Sequence, residues 1–219
     1  FPEVKHGVFL HVDLGEQGLK RDQEEVFNLF GVAGIKLKQV HKDKILEIKK
    51  APLQLTLHEG FDGMVTREKD VGLLIRHADC QPAIFYDPVT CSLANVHCGW
   101  RGSSLNIYKK TIDKMQLLYG VNPNDLRVCI GPSLGPKHAE FIHFRKELPK
   151  GFWPYQVTPT YFDFWAISEW QLEECGVPID QIETARQCTY GDPSLFSYRR
   201  RKPTPHHGTV ASIKSRNVL

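Results

Sequence analysis

The sequence predicts an α+β fold: one layered domain over residues 1–219, with mixed β-sheets flanked by helices. Apolar runs of strand length alternate with a few helical patterns, Gly and Pro punctuate the gaps, and the strict βαβ repeat of a doubly wound sheet is missing. With 219 residues, 41% hydrophobic and 24% charged, the chain can bury a sizeable core, and no repeat or compositional break divides it.

The elements follow in order. Residues 8–12 read as a strand, and 22–30 as a short helix with Asp22 as N-cap and Gly31 just past its end. Residues 36–41 and 45–48 look like a strand pair. Residues 72–76, 83–86 and 92–96 are strands, and Asp87-Pro88 turns the last two into a buried hairpin. Gly102-Ser103-Ser104 then leads into a helix over 105–119, where Leu105, Tyr108, Ile112, Met115 and Tyr119 recur at helical spacing. Residues 126–130 form a strand that Gly131-Pro132 ends. Asp163 caps a helix that runs to Cys175 and stops at Gly176 and Pro178. Residues 182–184 and 210–213 supply the last strands.

Lys and Arg total 28 against 25 Asp and Glu, and this net +3 is too small and too dispersed to call for a nucleic-acid or membrane partner. The one dense basic run, Arg199-Arg200-Arg201-Lys202, reads as a solvated loop. No apolar stretch approaches a spanning helix, and residues 1–10 lack the order of a secretory signal, so a cytoplasmic location is expected. Cys80, Cys91, Cys98, Cys129, Cys175 and Cys188 are scattered through a chain large enough to fold without staples, and reduced thiols are expected.

Three residues sit where strands end: His41, Cys80 and His97. Two imidazoles and a thiolate are the donor set zinc prefers, and three protein ligands would leave a fourth position open for water, as in catalytic sites. Cys80 has a second functional reading, as a nucleophile activated by His97. No CxxC, HExxH or HxE…PCxxC spacing accompanies them.

Five motifs occur in order: Asp62-Gly63-Met64-Val65-Thr66, Ala78-Asp79-Cys80-Gln81-Pro82, His97-Cys98-Gly99-Trp100-Arg101-Gly102, Ile130-Gly131-Pro132-Ser133 and Phe196-Ser197-Tyr198-Arg199-Arg200. Together they resemble the laccase-domain family, whose members are named variously multicopper polyphenol oxidase, peptidoglycan-editing factor and purine nucleoside phosphorylase. The resemblance implies a layered fold like the catalytic domain of cytotoxic necrotizing factor. It also implies a zinc site on His41, Cys80 and His97. The chain departs from the family's pattern at Cys98, at His77 and at His207-Gly208-Thr209, where Thr-Gly-Arg is usual. Strand neighbours face opposite ways, so Cys98 is expected to point away from whatever His97 faces.

The ten histidines contain no His-x-His pair, and neither Met64 nor Met115 lies near one, so a four-copper centre lacks ligands. A single copper in place of zinc is the remaining copper option. The resemblance implies instead phosphorolysis of adenosine, inosine or methylthioadenosine, with adenosine deamination alongside. The expected partners are therefore a purine nucleoside and phosphate. Arg101, with Gly102-Ser103-Ser104 before a helix, reads as an anion clamp or as a capped turn with an ion pair. Trp100 reads as a core residue or a stacking platform. Asp62 and Asp79 read as orienters of a ligating imidazole, as general acid or base, or as turn caps. Tyr198, Arg199 and Arg200 could close the site. Rival functions are a peptidoglycan-precursor editing hydrolase with Cys80 as nucleophile or ligand, and a non-enzymatic module whose structural metal takes His77 or Cys98 as fourth ligand.

Overall fold

The computed structural model describes residues 2–12, 26–28, 30 and 32–215. Two mixed sheets stack in it. The first orders β1 (Val4–Val12), β13 (His206–Ile213), β6 (Val71–His77), β2 (Ala33–Lys38) and β4 (Thr56–Glu59). The second orders β12 (Ile182–Thr184), β9 (Arg127–Ile130), β7 (Gln81–Asp87), β8 (Ser92–Cys98), β5 (Gly63–Thr66) and β3 (Ile45–Ile48). A small antiparallel pair, β10 (Gln156–Thr158) and β11 (Tyr161–Phe162), lies apart. The helices are α1 (Trp100–Ser104), α2 (Ile107–Tyr119), α3 (Phe144–Glu147) and α4 (Phe164–Glu173). The expected α+β class with mixed sheets is what the chain adopts.

Period-two alternation builds the layers. Ile84, Tyr86 and Leu93 face the first sheet and pack with Ile35, Leu73, Ile75 and Ala211. Their neighbours Ala83, Phe85, Ala94 and Val96 face the other way, onto Tyr108, Ile112 and Met115 of α2. Val26, Phe27 and Phe30 cover the outer face of the first sheet over Leu74 and Val210. A satellite core of rings, among them Phe141, Phe152, Phe162 and Phe164, lies beside the sandwich.

The 83–86 and 92–96 strands pair as the expected antiparallel hairpin, and Asp163 caps α4 by accepting from Trp165 N and Ala166 N at 3.0 and 3.1 Å. Two expectations are corrected. Residues 36–41 and 45–48 are no pair: β2 joins β4 and β6 in one sheet, while β3 joins β5 in the other. The helix begins not at Leu105 but at Ile107, because Asn106 adopts a left-handed φ of 52° and accepts from Lys109 N. Leu105 is left outside it and exposed. The helix expected over 22–30, with Asp22 and Gly31, falls largely outside the described residues.

β2, β4 and β6 are parallel, so their C-terminal ends share one edge. From that edge the chain passes three times from the first sheet to the second, through residues 39–44, 60–62 and 78–80. The crossings carry residues that the sequence singles out: His41 on the first, Asp62 on the second, Asp79 and Cys80 on the third. β8 ends and β13 begins at the same edge, because Gly63 pairs with Val96 and His77 with His207.

Candidate metal centre

Asp62 organises the site. It is fully buried, and its carboxylate accepts from three successive peptide N–H groups: Val40 at 3.2 Å, His41 at 2.8 Å and Lys42 at 2.8 Å. These bonds hold His41 at a φ of 57°, a left-handed conformation that costs a non-glycine residue roughly 1–2 kcal/mol. Asp62 Oδ1 also lies 3.0 Å from His97 Nδ1, which leaves Nε2 as the ring nitrogen free to serve as a donor. Burial would raise the Asp62 carboxyl, but His97 and the peptide N–H groups outweigh it and hold its pKa below the usual range.

The donor atoms of His41, Cys80 and His97 all lie within 4.8 Å of one another, and the two imidazole rings meet edge to face at 4.8 Å. Burial would raise the Cys80 thiol, yet the charge on His97 and hydrogen bonds from His41 and His97 bring it down to about 6. Burial would lower His97, yet the Cys80 thiolate and the bond to Asp62 push it up to about 9. Both shifts favour a thiolate at Cys80 beside an imidazolium at His97.

Space for the trio depends on two glycines. A Cβ at Gly99 would stand 3.0 Å from Cys80 Sγ and 3.3 Å from His41 Cδ2; one at Gly102 would stand 3.0 Å from Lys42 O. A cradle that any side chain would fill, lined by two imidazoles and a thiolate, suits one zinc ion with a side left open. Neither His77 nor Cys98 joins the group. His77 Nε2 is 2.9 Å from Thr209 Oγ1 in the interior, and Cys98 packs with Ala94 and Val96 against α2, facing away from His97 as strand alternation demands.

The trio opens on a cleft of about 910 Å³ whose lining includes Trp100, Phe141 and Phe164. Trp100 packs edge to face on Phe141 at 5.8 Å, so it belongs both to the aromatic cluster and to the cleft wall. Arg101 is exposed, with its guanidinium 4.1 Å from the Trp100 ring centroid. Gly102-Ser103-Ser104 is not a free turn leading into the longer helix. That stretch is itself α1, its Ser103 N bonded to Gly99 O, and the Ser103 side chain is buried against Gln171. Asp79 accepts from Thr189 Oγ1 and Arg199 N, both at 2.6 Å, and so ties the tail to the loop that carries Cys80. Tyr198 and Arg199 line the cleft, whereas Arg200 donates to the carbonyls of Thr189, Tyr190, Asp192 and Leu195. Phe141, Phe164, Thr189 and Gly99 are site residues that the sequence reading does not single out. The dense run of rings between 141 and 170 was the signal for the first two.

The family model described as multi-copper polyphenol oxidoreductase laccase matches residues 10–216. A purine nucleoside phosphorylase of Bacteroides thetaiotaomicron is 33% identical over 168 residues, covering 72% of this chain and 62% of that protein. The chain thus spans less than two thirds of that relative. A purine nucleoside phosphorylase of Campylobacter jejuni is 29% identical over 199 residues, covering 85% of this chain and 83% of that one. Among solved structures, YlmD from Geobacillus stearothermophilus has a TM-score of 0.85 at 22% identity, covering 98% of this chain and 93% of the other. The hypothetical protein YfiH of Bacillus licheniformis has a TM-score of 0.79 at 25% identity, covering 94% and 85%. The match over almost the whole chain, on a fold shared with these structures, makes this protein a member of the multi-copper polyphenol oxidoreductase laccase family.

Proposed function

We propose that the chain is a zinc-dependent purine nucleoside phosphorylase that accepts adenosine, inosine and methylthioadenosine and also deaminates adenosine. One observation carries the reading: a three-donor group open on one side to a cleft with aromatic walls, in a chain whose relatives are named purine nucleoside phosphorylases. His41, Cys80 and His97 would hold the ion, which when bound supplies a Lewis acid and an activated water at neutral pH. The rest falls to the chain itself. Trp100, Phe141 and Phe164 offer ring faces to a purine. Arg101, at the rim, draws in the phosphate dianion. Asp62 and Asp79 act through other groups: Asp62 fixes the tautomer and orientation of His97, and Asp79 holds Tyr198 and Arg199 over the cleft. In phosphorolysis a phosphate oxygen bonds to C1′ as the C1′–N9 bond breaks, and the electron pair and a proton end on the departing base. Deamination adds water at C6 and releases ammonia.

Among the described residues one three-donor group occurs, which supports a single ion and not a four-copper array; copper in the same donors is the alternative loading. The six cysteines are free, which accords with a cytoplasmic setting. Metal-replete protein incubated with adenosine or inosine should release free base and ribose 1-phosphate only when phosphate is present, and ammonia from adenosine without it. Product no greater than that of Cys80→Ala refutes the proposal.

The Cys80 thiolate beside the His97 imidazolium favours a second reading, a thiol hydrolase that edits peptidoglycan precursors. Chelation separates the two. Activity that survives chelation and dies on Cys80 alkylation selects the hydrolase.

A further inference from the structure

The described residues that line the cleft carry a lopsided charge. Lys38, Lys42, Arg76, Arg101, Arg199 and Lys202 are cationic, and Asp79 is the one carboxylate, already engaged by Thr189 and Arg199 N. Most of the cations have a neighbour. Lys38 Nζ lies 3.3 Å from Glu59, Arg199 Nη1 donates to Glu140 O at 3.1 Å, Arg101 lies over Trp100 and Lys202 over Tyr198.

Arg76 differs. It is half-buried, its Nε is sealed from solvent without a hydrogen-bond partner, and no carboxylate of the described residues forms an ion pair with it. Burial pulls its pKa down with no anion to offset the pull. An unpaired guanidinium nitrogen shut off from water costs free energy that a passing surface cation does not incur. Arg76 also lines the cleft, and it brings there a positive charge that no ion pair of the described residues neutralises.

The main chain of Arg76 is tied to the segment that leads to His41. Gln39 Nε2 donates to Arg76 O at 2.7 Å, and Arg76 N donates to Gln39 Oε1 at 2.8 Å. One side chain, two residues before His41, therefore sets the register between this cation and the trio. His206 lines the same cleft, and burial, then the charges of Arg76, His97, His207 and His41, lower its pKa to about 4.

We infer that Arg76 anchors an anion-binding site at the end of the cleft formed by β2, β6 and β13, and that its ligand is a phosphoryl oxyanion. The inference rests on the phosphorylase reading for the ligand's identity. Arg101 gathers the anion at the mouth; Arg76 seats it within. The oxyanion has two sources, free inorganic phosphate or the 5′-phosphoryl group of a purine nucleotide.

The test is calorimetric titration of metal-loaded and metal-depleted wild-type, Arg76→Gln and Arg76→Lys proteins. Inorganic phosphate, adenosine and adenosine 5′-monophosphate are the probes, and matching melting transitions certify the variants. Loss of one charge-assisted contact predicts phosphate affinity about tenfold to a hundredfold lower in Arg76→Gln, partial recovery in Arg76→Lys, and adenosine affinity within about twofold of wild type. The same loss in metal-depleted protein separates the site from any phosphate bound at an ion. Dependence on Arg76 for the nucleotide alone assigns the 5′-phosphoryl source, and dependence for phosphate alone assigns the free co-substrate. If no phosphorolysis product forms while Arg76-dependent binding remains, the anion site stands and the phosphorylase reading falls. Arg76→Gln that binds phosphate and nucleotide as wild type does overturns the inference.

Discussion

His97 reaches the cleft from within β8, its ring fixed by a carboxylate that is itself buried, whereas Tyr198 reaches it from a loop held by the Arg200 guanidinium on carbonyls and by Asp79 on Arg199 N. The contrast extends to the two walls. The donor wall is made where strands of two stacked sheets hand the chain across, and its positions are set by peptide ladders and by Asp62. The opposite wall, 133–165 and 187–202, is built from short helices and turns held by ring contacts such as Phe141 on Phe164 at 5.2 Å and by capping of carbonyls. The first construction fixes atoms for chemistry; the second shapes a surface that can change with the substrate.

Substitutions should separate the walls. Asp62→Ala is the largest expected effect: three N–H groups and an imidazole lose their partner. Stability should fall by about 3–5 kcal/mol in urea unfolding and zinc affinity, read by chelator competition, by about tenfold to a hundredfold. Gly99→Ala is cleaner, since φ there is −80° and an alanine strains no backbone. Its methyl would crowd Cys80 and His41, so zinc affinity should drop by about tenfold while the urea midpoint barely moves. An unchanged affinity in either variant would break the contrast.

Proton counting sharpens it. With Cys80 at about 6 and His97 at about 9, the metal-free site at pH 7.5 holds a thiolate and an imidazolium. Zinc binding there should draw about one proton from this pair, and none from it above pH 9, so affinity rises with pH and levels off near 9. Calorimetry in buffers of different ionisation enthalpy reads the number. The smallest expected effect lies on the other wall. Thr189→Val removes the bond to Asp79, worth about 1 kcal/mol, and should raise the nucleoside KM a few fold with zinc affinity within about twofold of wild type.

What the sequence discloses divides along the same line. The three donors are legible because chemistry restricts ligands to a few residue types, and the hairpin because alternation and Asp87-Pro88 are local signals. The parallel crossings are not, since residues 36–41 and 45–48 look adjacent and nothing local says that a different sheet receives each. Arg101 through Ser104 reads as a lead-in to a helix because a five-residue helix broken by a left-handed Asn106 leaves no periodicity to detect. The aromatic wall escapes for a related reason: its rings come from segments too short to show a pattern, and only packing reveals that they share a cluster.

His41, Asp62 and Cys80 each stand on a different bridge between the two sheets, so the distances among them record how one layer sits on the other. Repacking Ile35, Ile84 or Leu93 in the interlayer should therefore shift His41 and Cys80, which stand on two of these bridges, relative to each other. An ion held by His41, Cys80 and His97 would pin two of those bridges to the end of β8. Thermal tolerance of the whole sandwich would thereby become a function of metal supply.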